Sequence, residues 1–413
     1  MGYNRGALNM LSVAEARERI LSHFQITATE NVPLIACASR VLAVDISAEY
    51  DLPLFDNSAM DGFAVRSEDT SASGATLKVV ADVPAGSTSK VTLKAGEAAR
   101  IMTGAQLPNG ANAVIPVEDT DFHNHKAGTI APEKISFAKR LKTGENIRPR
   151  GMDIHAGEIV LNKGQTLKPQ DLGLLAMLGF ANVQAYKRPR VALLSSGDEL
   201  LAVDAPLESG KIRDSNSYTL AASIESAGGE VVRLGVAKDT RESVEALFQK
   251  ALSEDVDFIL SSAGVSVGAF DYVKEVIESN GALNFWRVNM RPGKPLAFGE
   301  YLDKPFIGLP GNPVSAFVGF EVFVRPVLER LSGKLGSNRR RVKVRSEEEI
   351  ESDGRESYLR VKLRDENGIQ SAQMTGHQGS GNLLSLVQAD ALLIIPAGVK
   401  CVPAGQEVEA LLL

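Results

Sequence analysis

The rhythm of apolar and polar positions changes three times along the chain. Ser12-Val13-Ala14-Glu15 has the form of a capping box, and Val13, Ile20, Leu21 and Phe24 then repeat on one helical face, which predicts a short amphipathic helix. From Val41 to about Val183 that period gives way to brief β-type runs at 77–80, 99–102, 113–117 and 159–161, punctuated by Gly and Asn. Few helix signals interrupt them, so this stretch reads as β-rich with non-local closure, and a discontinuous domain is expected.

Residues 186–333 alternate differently. Strand-like runs at 190–194, 230–236, 257–260, 283–288 and 306–309 are separated by helical patterns at 217–227, 241–252 and 272–279. A last helix at 315–331 should kink or divide at Pro326, which has no N–H to give. Such βα alternation predicts a doubly wound, mainly parallel α/β domain. After Arg339-Arg340-Arg341 come short alternating runs at 342–344, 358–363, 392–395 and 407–411, the pattern of a small β-barrel or sandwich. The basic triplet stands at a linker opposite Glu347, Glu348 and Glu349 and reads as a solvated charge run.

Composition narrows the class. A chain of 413 residues, 44% hydrophobic and 23% charged, is ordinary globular protein of two to four domains, which excludes fibrous and wholly disordered classes. The balance of 45 basic against 51 acidic side chains gives −6, so no global basic footprint for nucleic acid is present. Anionic ligands must be held by local cations or backbone N–H groups. Cys37 and Cys401 are the two cysteines, too few for a disulfide framework or a thiolate zinc site; two buried apolar thiols in a reducing compartment are expected, with one long-range disulfide as the alternative. The N-terminus has no signal-peptide core, and the longest uncharged apolar run, 172–181, is half what a bilayer requires. A cytoplasmic protein with no membrane partner is expected.

Ligands of an open α/β sheet bind beyond the carboxyl ends of its strands. Five loops meet that description: 195–199, 238–239, 261–271, 291–294 and 310–313. Ser196 and Gly197, and Ser262, Gly264, Ser266 and Gly268, are small residues whose N–H groups can approach phosphate oxygens. Pro310, Asn312 and Pro313 form a further turn before a helix. Glu199, Asp239 and Asp271 supply acid, and Arg291 and Lys294 supply positive charge. Carboxylates beside an anion site suit Mg²⁺, which binds one or two carboxylates together with substrate phosphate. The plainer alternatives are that Asp239 and Asp271 are helix N-caps, that 195–199 and 310–313 are simple turns, and that Gly264-x-x-x-Gly268 is no known phosphate motif.

Four polar clusters lie outside that domain. Residues 55–65 place Asp56, Asn57, Ser58 and Asp61 in a stretch without regular period. Thr103-Gly104 ends a strand-like run, and Arg148-Pro149-Arg150-Gly151-Met152-Asp153 sets two guanidinium groups, suited to bidentate oxyanion binding, beside an acid. Residues 375–380 form a polar glycine loop ending in Ser380. None of the five histidines has metal-ligand spacing on a helix, and His377 alone reads as structural.

Seven of these stretches together resemble one family. FDNSAMDGFAV from Phe55, IMTGA from Ile101, SGDEL from Ser196, SAGVSVGAFD from Ser262, PGKPLAF from Pro292, GLPGNPVS from Gly308 and TGHQGS from Thr375 are similar to the molybdopterin molybdenumtransferases, the MoeA type that also forms the C-terminal part of gephyrin. The resemblance is collinear from about Leu11 to the C-terminus. It implies a discontinuous domain of residues 1–54 and 148–184, a β-rich domain of 55–147, a molybdopterin-binding α/β domain of 185–335 and a C-terminal β-barrel of 336–413. It further implies a homodimer whose cleft joins the α/β domain of one subunit to the first two domains of the other. There Mg²⁺ would assist insertion of molybdate into adenylylated molybdopterin, with release of AMP.

By that resemblance Asp61, Thr103, Asp153, Glu199, Asp239 and Asp271 would be catalytic, the last three of these acids holding the metal. Arg148, Arg150, Ser196, Gly197, Ser262, Gly264, Ser266, Gly268, Arg287, Arg291, Lys294, Pro310, Asn312, Pro313 and Ser380 would bind substrate. The substrate would bring its own dithiolene sulfurs to a chain with almost no cysteine. Relatives often carry Lys where this chain has Arg287 and Arg291, and a forked guanidinium is not interchangeable with a point charge. Two other functions fit parts of the pattern: the preceding adenylyl transfer to molybdopterin, which needs only the α/β domain, and a gephyrin-like partner-binding scaffold. A molybdopterin adenylyltransferase and molybdoenzyme acceptors are the expected protein partners.

Overall fold

A computed structural model describes residues 10–71, 74–87, 90–123, 128–263, 272–336, 339–366 and 368–413. The chain forms two compact units, one of residues 45–162 and 177–179, the other of 1–44, 163–176 and 180–413.

The smaller unit is built on five strands: β1 (Gly62–Val65), β2 (Ala75–Val83), β3 (Glu97–Ile101), β4 (Ala113–Pro116) and β5 (Lys134–Phe137). They pair in the order β4-β1-β3-β2-β5, with β2 and β3 parallel and the rest antiparallel. Every residue of β1 is buried, because Phe63 and Val65 pack on one face of the sheet and Ala64 on the other. Gly62 opens β1 directly after Asp61, and a Cβ there would lie 1.9 Å from the Ile115 carbonyl oxygen. Only glycine allows that strand contact.

In the larger unit, α1 (Val13–Ser22) carries the expected capping box, with Ser12 Oγ accepting from Glu15 N–H and Glu15 accepting from Ser12 N–H. The central sheet comprises β6 (Arg190–Ser196), β7 (Glu230–Ala237), β8 (Phe258–Ser262), β9 (Gly281–Arg287), β10 (Pro295–Tyr301) and β11 (Lys304–Leu309), in the order β7-β6-β8-β11-β10-β9. The three pairings from β7 to β11 are parallel and the two beyond are antiparallel. Helices α2 (Asn216–Ser226), α3 (Arg241–Ser253) and α4 (Tyr272–Asn280) follow β6, β7 and β8. Alternate residues of β6 face opposite layers: Val191 and Leu193 join α1 and α2, whereas Ala192 and Leu194 join α3 and α4. That two-sided burial is what makes the strand read as a continuous apolar run.

The last helix is divided as Pro326 requires, into α5 (Pro313–Gly319), a π-turn at Phe320–Val324 and α6 (Arg325–Leu331). The C-terminal strands β12 (Arg341–Ser346), β13 (Glu356–Glu366), β14 (Ile369–Met374), β15 (Ala391–Ile395) and β16 (Glu407–Leu412) close on themselves as β13-β14-β12-β16-β15-β13. The domain is therefore a closed barrel, which leaves no free sheet edge.

Two expectations need correction. The basic triplet is not merely solvated: Arg339 makes a forked pair with the buried Glu321, and Arg341 pairs with Glu409. The thiols are both free, but only Cys37 is buried, whereas Cys401 is exposed on a two-residue strand of the barrel domain.

Candidate active site

The carboxyl ends of β6, β8 and β11 stand side by side, with Ser195 opposite Ser262 and Ser262 opposite Leu309 in register. Three small residues at these ends, Ser195, Ser196 and Ser262, are buried and leave space above the sheet. The segment that enters α2 fills part of it. Asn216 Nδ2 donates to Ser262 Oγ and to the Gly311 carbonyl, each at 2.7 Å, and so fastens β8 to the turn after β11. Asn216 Oδ1 is buried and has no hydrogen-bond partner among the described residues. Beside it the Ser217 hydroxyl donates to Asp214 Oδ2 and lies 3.0 Å from Ser195 Oγ. Asp214, Ser215, Asn216, Ser262, Gly311, Asn312 and Pro313 line a cleft of about 580 Å³ together with Glu199, and Gly381 and Leu383 of the barrel domain close one side.

The backbone at this edge is held in costly conformations. Ala263 has φ +74°, a left-handed value that costs a non-glycine residue of order 1–3 kcal/mol, and its N–H is fixed on the Leu309 carbonyl at 3.0 Å. Gly197 has φ +145°, and a Cβ there would sit 2.5 Å from the Glu199 carboxylate, which folds over it.

The acids group as follows. Asp198 and Asp239 exchange bonds, each carboxylate accepting the other's N–H at 3.2–3.3 Å. Asp239 is not a helix cap, because Thr240 takes that position and accepts from Ser243 N–H. Glu199 is exposed at the cleft wall. The described residues contain no ready-made group of three or more metal ligands. The hard carboxylate oxygens of Glu199 and Asp239 nonetheless suit Mg²⁺, which needs only one or two of them when substrate phosphate supplies the rest. Gly264, Ser266, Gly268 and Asp271 lie outside the described residues.

On the barrel side the structure contributes a residue that sequence reasoning did not select. Arg360 is fully buried on β13, donating to Ser385 Oγ at 3.1 Å and to the Gly379 carbonyl at 3.0 Å. Its Nη1 has no hydrogen-bond partner among the described residues. Burial, and then the nearby Arg291 charge, pull its pKa down to about 10. Arg291 itself is exposed and 3.9 Å from Asp353, whose carboxyl the Arg355 guanidinium, with Arg291 assisting, holds at about 2. Arg287 and Lys294 are exposed at the same edge, and the Ser380 carbonyl accepts from Val314 N–H in the first turn of α5.

The smaller unit carries the second cluster. Thr103 N–H and the Thr103 hydroxyl both donate to Asp61 Oδ1 at 2.7 Å. The backbone bond first and the hydroxyl second hold this carboxyl below the ordinary aspartate value. Ser58 N–H donates to the Ala105 carbonyl and Gly104 N–H to the Ser58 carbonyl, so the two polar loops are clasped. Arg148 is exposed on a short strand opposite Asn57, and the Asp153 carboxylate lies in an exposed turn whose N–H is held by the Leu52 carbonyl. Arg150 Nε donates to Asp51 at 2.7 Å, and its backbone N–H donates to Asp56 at 2.8 Å.

Asp214, Asn216 and Ser217 were also missed. Their signal was an acid, an amide and two hydroxyls in the four residues 214–217 at a βα junction, which reads equally as a helix start.

These features define a class, the multidomain proteins built on an open α/β sheet whose ligand crevice lies at the carboxyl ends of its strands. Comparison with known proteins narrows it. Residues 11–179 match the MoeA N-terminal region (domain I and II), residues 192–330 a probable molybdopterin binding domain, and residues 343–413 the MoeA C-terminal region (domain IV). The chain is 39% identical over 391 residues to a protein of Nostoc sp. (strain PCC 7120) named molybdopterin molybdenumtransferase, covering 92% of this chain and 88% of that one. It is 38% identical over 413 residues to molybdopterin molybdenumtransferase 2 of Mycobacterium tuberculosis, covering 97% and 99% of the two. A crystal structure of the molybdopterin biosynthesis MoeA protein from Pyrococcus horikoshii superposes with a TM-score of 0.81 at 32% identity, over 98% of this chain and 100% of that one. The chain belongs to the MoeA family.

Proposed function

We propose that the chain is a transferase of molybdenum cofactor biosynthesis, inserting molybdate into adenylylated molybdopterin and releasing AMP. The observation that carries this reading is Arg360, a buried guanidinium with an unpartnered N–H, bonded to the loop whose Gly381 and Leu383 line the substrate-sized cleft. A tetrahedral oxyanion supplies what that group lacks. Lys294 and Arg291 add charge at the same edge, and Asn216 Oδ1 is free to accept an N–H of the organic substrate.

The chain's own groups divide the work. Arg360, Lys294 and Arg291 hold and neutralise the oxyanion. The small strand ends at Ser196, Gly197 and Ser262 let the phosphoanhydride approach the sheet. Glu199 and Asp239 would hold Mg²⁺, which when bound offsets charge on the phosphate oxygens. Water forms the new bond to a phosphorus of the anhydride and loses its proton to solvent, the bond to the bridging oxygen breaks, and AMP and the molybdopterin phosphate separate. At the dithiolene two Mo–S bonds form as molybdate oxygen leaves as water with the thiol protons. The two free thiols fit a reducing, cytoplasmic setting.

We further propose that the Asp61–Thr103 cluster completes the cleft of a second copy, so that the working unit is a homodimer. Asp61→Ala is expected to lower molybdate-dependent AMP release by about 10²-fold without loss of fold. Because Asp61 has a folded pKa below its unfolded value, its contribution is present above the ordinary aspartate pKa and is lost only as pH falls through the lowered one. Activity near neutral pH should therefore show no step from this group. Mixing Asp61→Ala subunits with Arg360→Met subunits should restore about a quarter of the sites, since half the dimers are mixed and one site in each is intact. No recovery on mixing, with both variants folded, would sink the shared cleft while leaving the reaction itself to the AMP assay.

A further inference from the structure

A second polar cavity, of about 250 Å³, lies at the opposite edge of the central sheet, where Arg188 precedes β6 and Gly228 ends α2. Its lining carries four cations, Arg40, Lys187, Arg188 and Lys334, against one acid, Glu225. Lys334 and Thr166 both line it, and their Nζ and Oγ1 atoms are buried with no hydrogen-bond partner among the described residues. Two orphaned polar groups on residues of one cavity wall are unusual in a native fold, since each costs about 1–3 kcal/mol unless something meets it.

Lys334 is held there by its backbone. Gly333 has φ +64°, and a Cβ on it would meet the Tyr186 ring at 2.4 Å, so the turn after α6 must run through glycine. Lys334 N–H then donates to the Glu329 carbonyl at 3.0 Å, and Leu335 N–H to the Gly164 carbonyl at 3.0 Å. Burial pulls the Lys334 pKa down, Glu329 opposes that, and Arg325, already bound to Glu321, adds to it. An anion reverses the balance. Arg40 reaches the same wall, with its Nη2 shared between Glu30 and the Tyr186 carbonyl at 2.8 Å, while Lys187 and Arg188 are exposed at the mouth.

We propose that this cavity binds a small tetrahedral oxyanion of the phosphate type, free or as the phosphoryl end of a larger molecule. Lys334 and Thr166 form its floor, and Arg40, Lys187 and Arg188 its electropositive wall. A carboxylate would meet two donors, whereas a tetrahedral dianion can accept from the ammonium, the hydroxyl and the wall at once. The site joins residues 39–41, 166 and 186–188 to the end of α2 and the turn after α6, so occupancy should stabilise the fold by linkage.

Titrating inorganic phosphate, and separately ribose 5-phosphate, into the full chain by calorimetry tests this. Phosphate should bind and raise the melting temperature. Lys334→Met should weaken binding at least tenfold, Thr166→Val severalfold, and Lys334→Arg should retain most of it. Arg360→Met should leave this binding in place, because that residue belongs to the other cleft. Tighter binding of inorganic phosphate marks the free ion as the ligand, and tighter binding of the sugar phosphate marks a phosphoryl group. No binding to the wild-type chain would overturn the proposal. So would binding that Arg360→Met abolishes and that Lys334→Met and Thr166→Val leave unchanged.

Discussion

Arg360→Met is expected to leave the protein folded and to lower molybdate-dependent turnover by about 10²-fold or more, the scale of removing one preorganised donor from an oxyanion site. The expectation rests on how the guanidinium is housed. Its two side-chain bonds go to neutral oxygens, Ser385 Oγ and the Gly379 carbonyl, and it makes no ion pair among the described residues. A buried charge so weakly compensated contributes little to stability, and methionine of similar length replaces it at small cost, within about 1 kcal/mol. Function and stability should separate cleanly in thermal denaturation and turnover measured together. Arg360→Lys should recover only part of the activity, because an ammonium offers a point charge in place of the planar guanidinium. A fully active Arg360→Met enzyme would remove the residue from the oxyanion site.

Glu321→Ala should do the reverse, costing about 3–5 kcal/mol of stability. The carboxylate lies inside the π-turn between α5 and α6 and is clamped by two forks. Arg325 reaches it at 2.7 and 2.8 Å, and Arg339 at 2.8 and 2.9 Å. Removing it leaves Arg325, 3% exposed, without its counterion. It also frees the linker by which the barrel is tied to the last helix. Burial alone would raise the Glu321 pKa, but the Arg339 and Arg325 bonds outweigh burial and leave it lowered. With the folded pKa below the unfolded one, the stabilisation is complete above the ordinary glutamate value and disappears as pH falls through the lowered value. Melting temperature should therefore be flat through neutral pH and drop in acid, and Glu321→Ala should flatten part of that drop. An unchanged melting temperature in the variant would show that the two forks contribute nothing net.

Much of this architecture was legible because local and tertiary demands agree. The capping box of α1, the two-sided apolar run of β6 and the division at Pro326 each follow from backbone chemistry that no packing partner overrides. Strand β10 was not, since Pro292, Gly293 and Pro295 read as a turn and hide the run that follows. Arg360 was hidden by period. It sits between Leu359 and Val361 where alternation points a side chain to solvent, yet the loop around Gly379 and Ser385 covers that face. Arg339 looked like one of three solvated cations because the acid that fixes it lies 18 residues earlier. Asp61 with Thr103 in the smaller unit, and the serine-rich strand ends in the larger one, were visible as motifs. The Asp214–Ser217 segment was not, because an acid followed by small polar residues is also how an ordinary helix begins.

The central claim is most directly tested by AMP release from purified adenylylated molybdopterin in the presence of Mg²⁺, with molybdate as the only variable. The proposed reaction requires AMP to appear in step with molybdenum bound to the dithiolene, and to fall to background without molybdate. AMP release at the same rate with and without molybdate, or ATP-dependent adenylyl transfer to molybdopterin in its place, would contradict it.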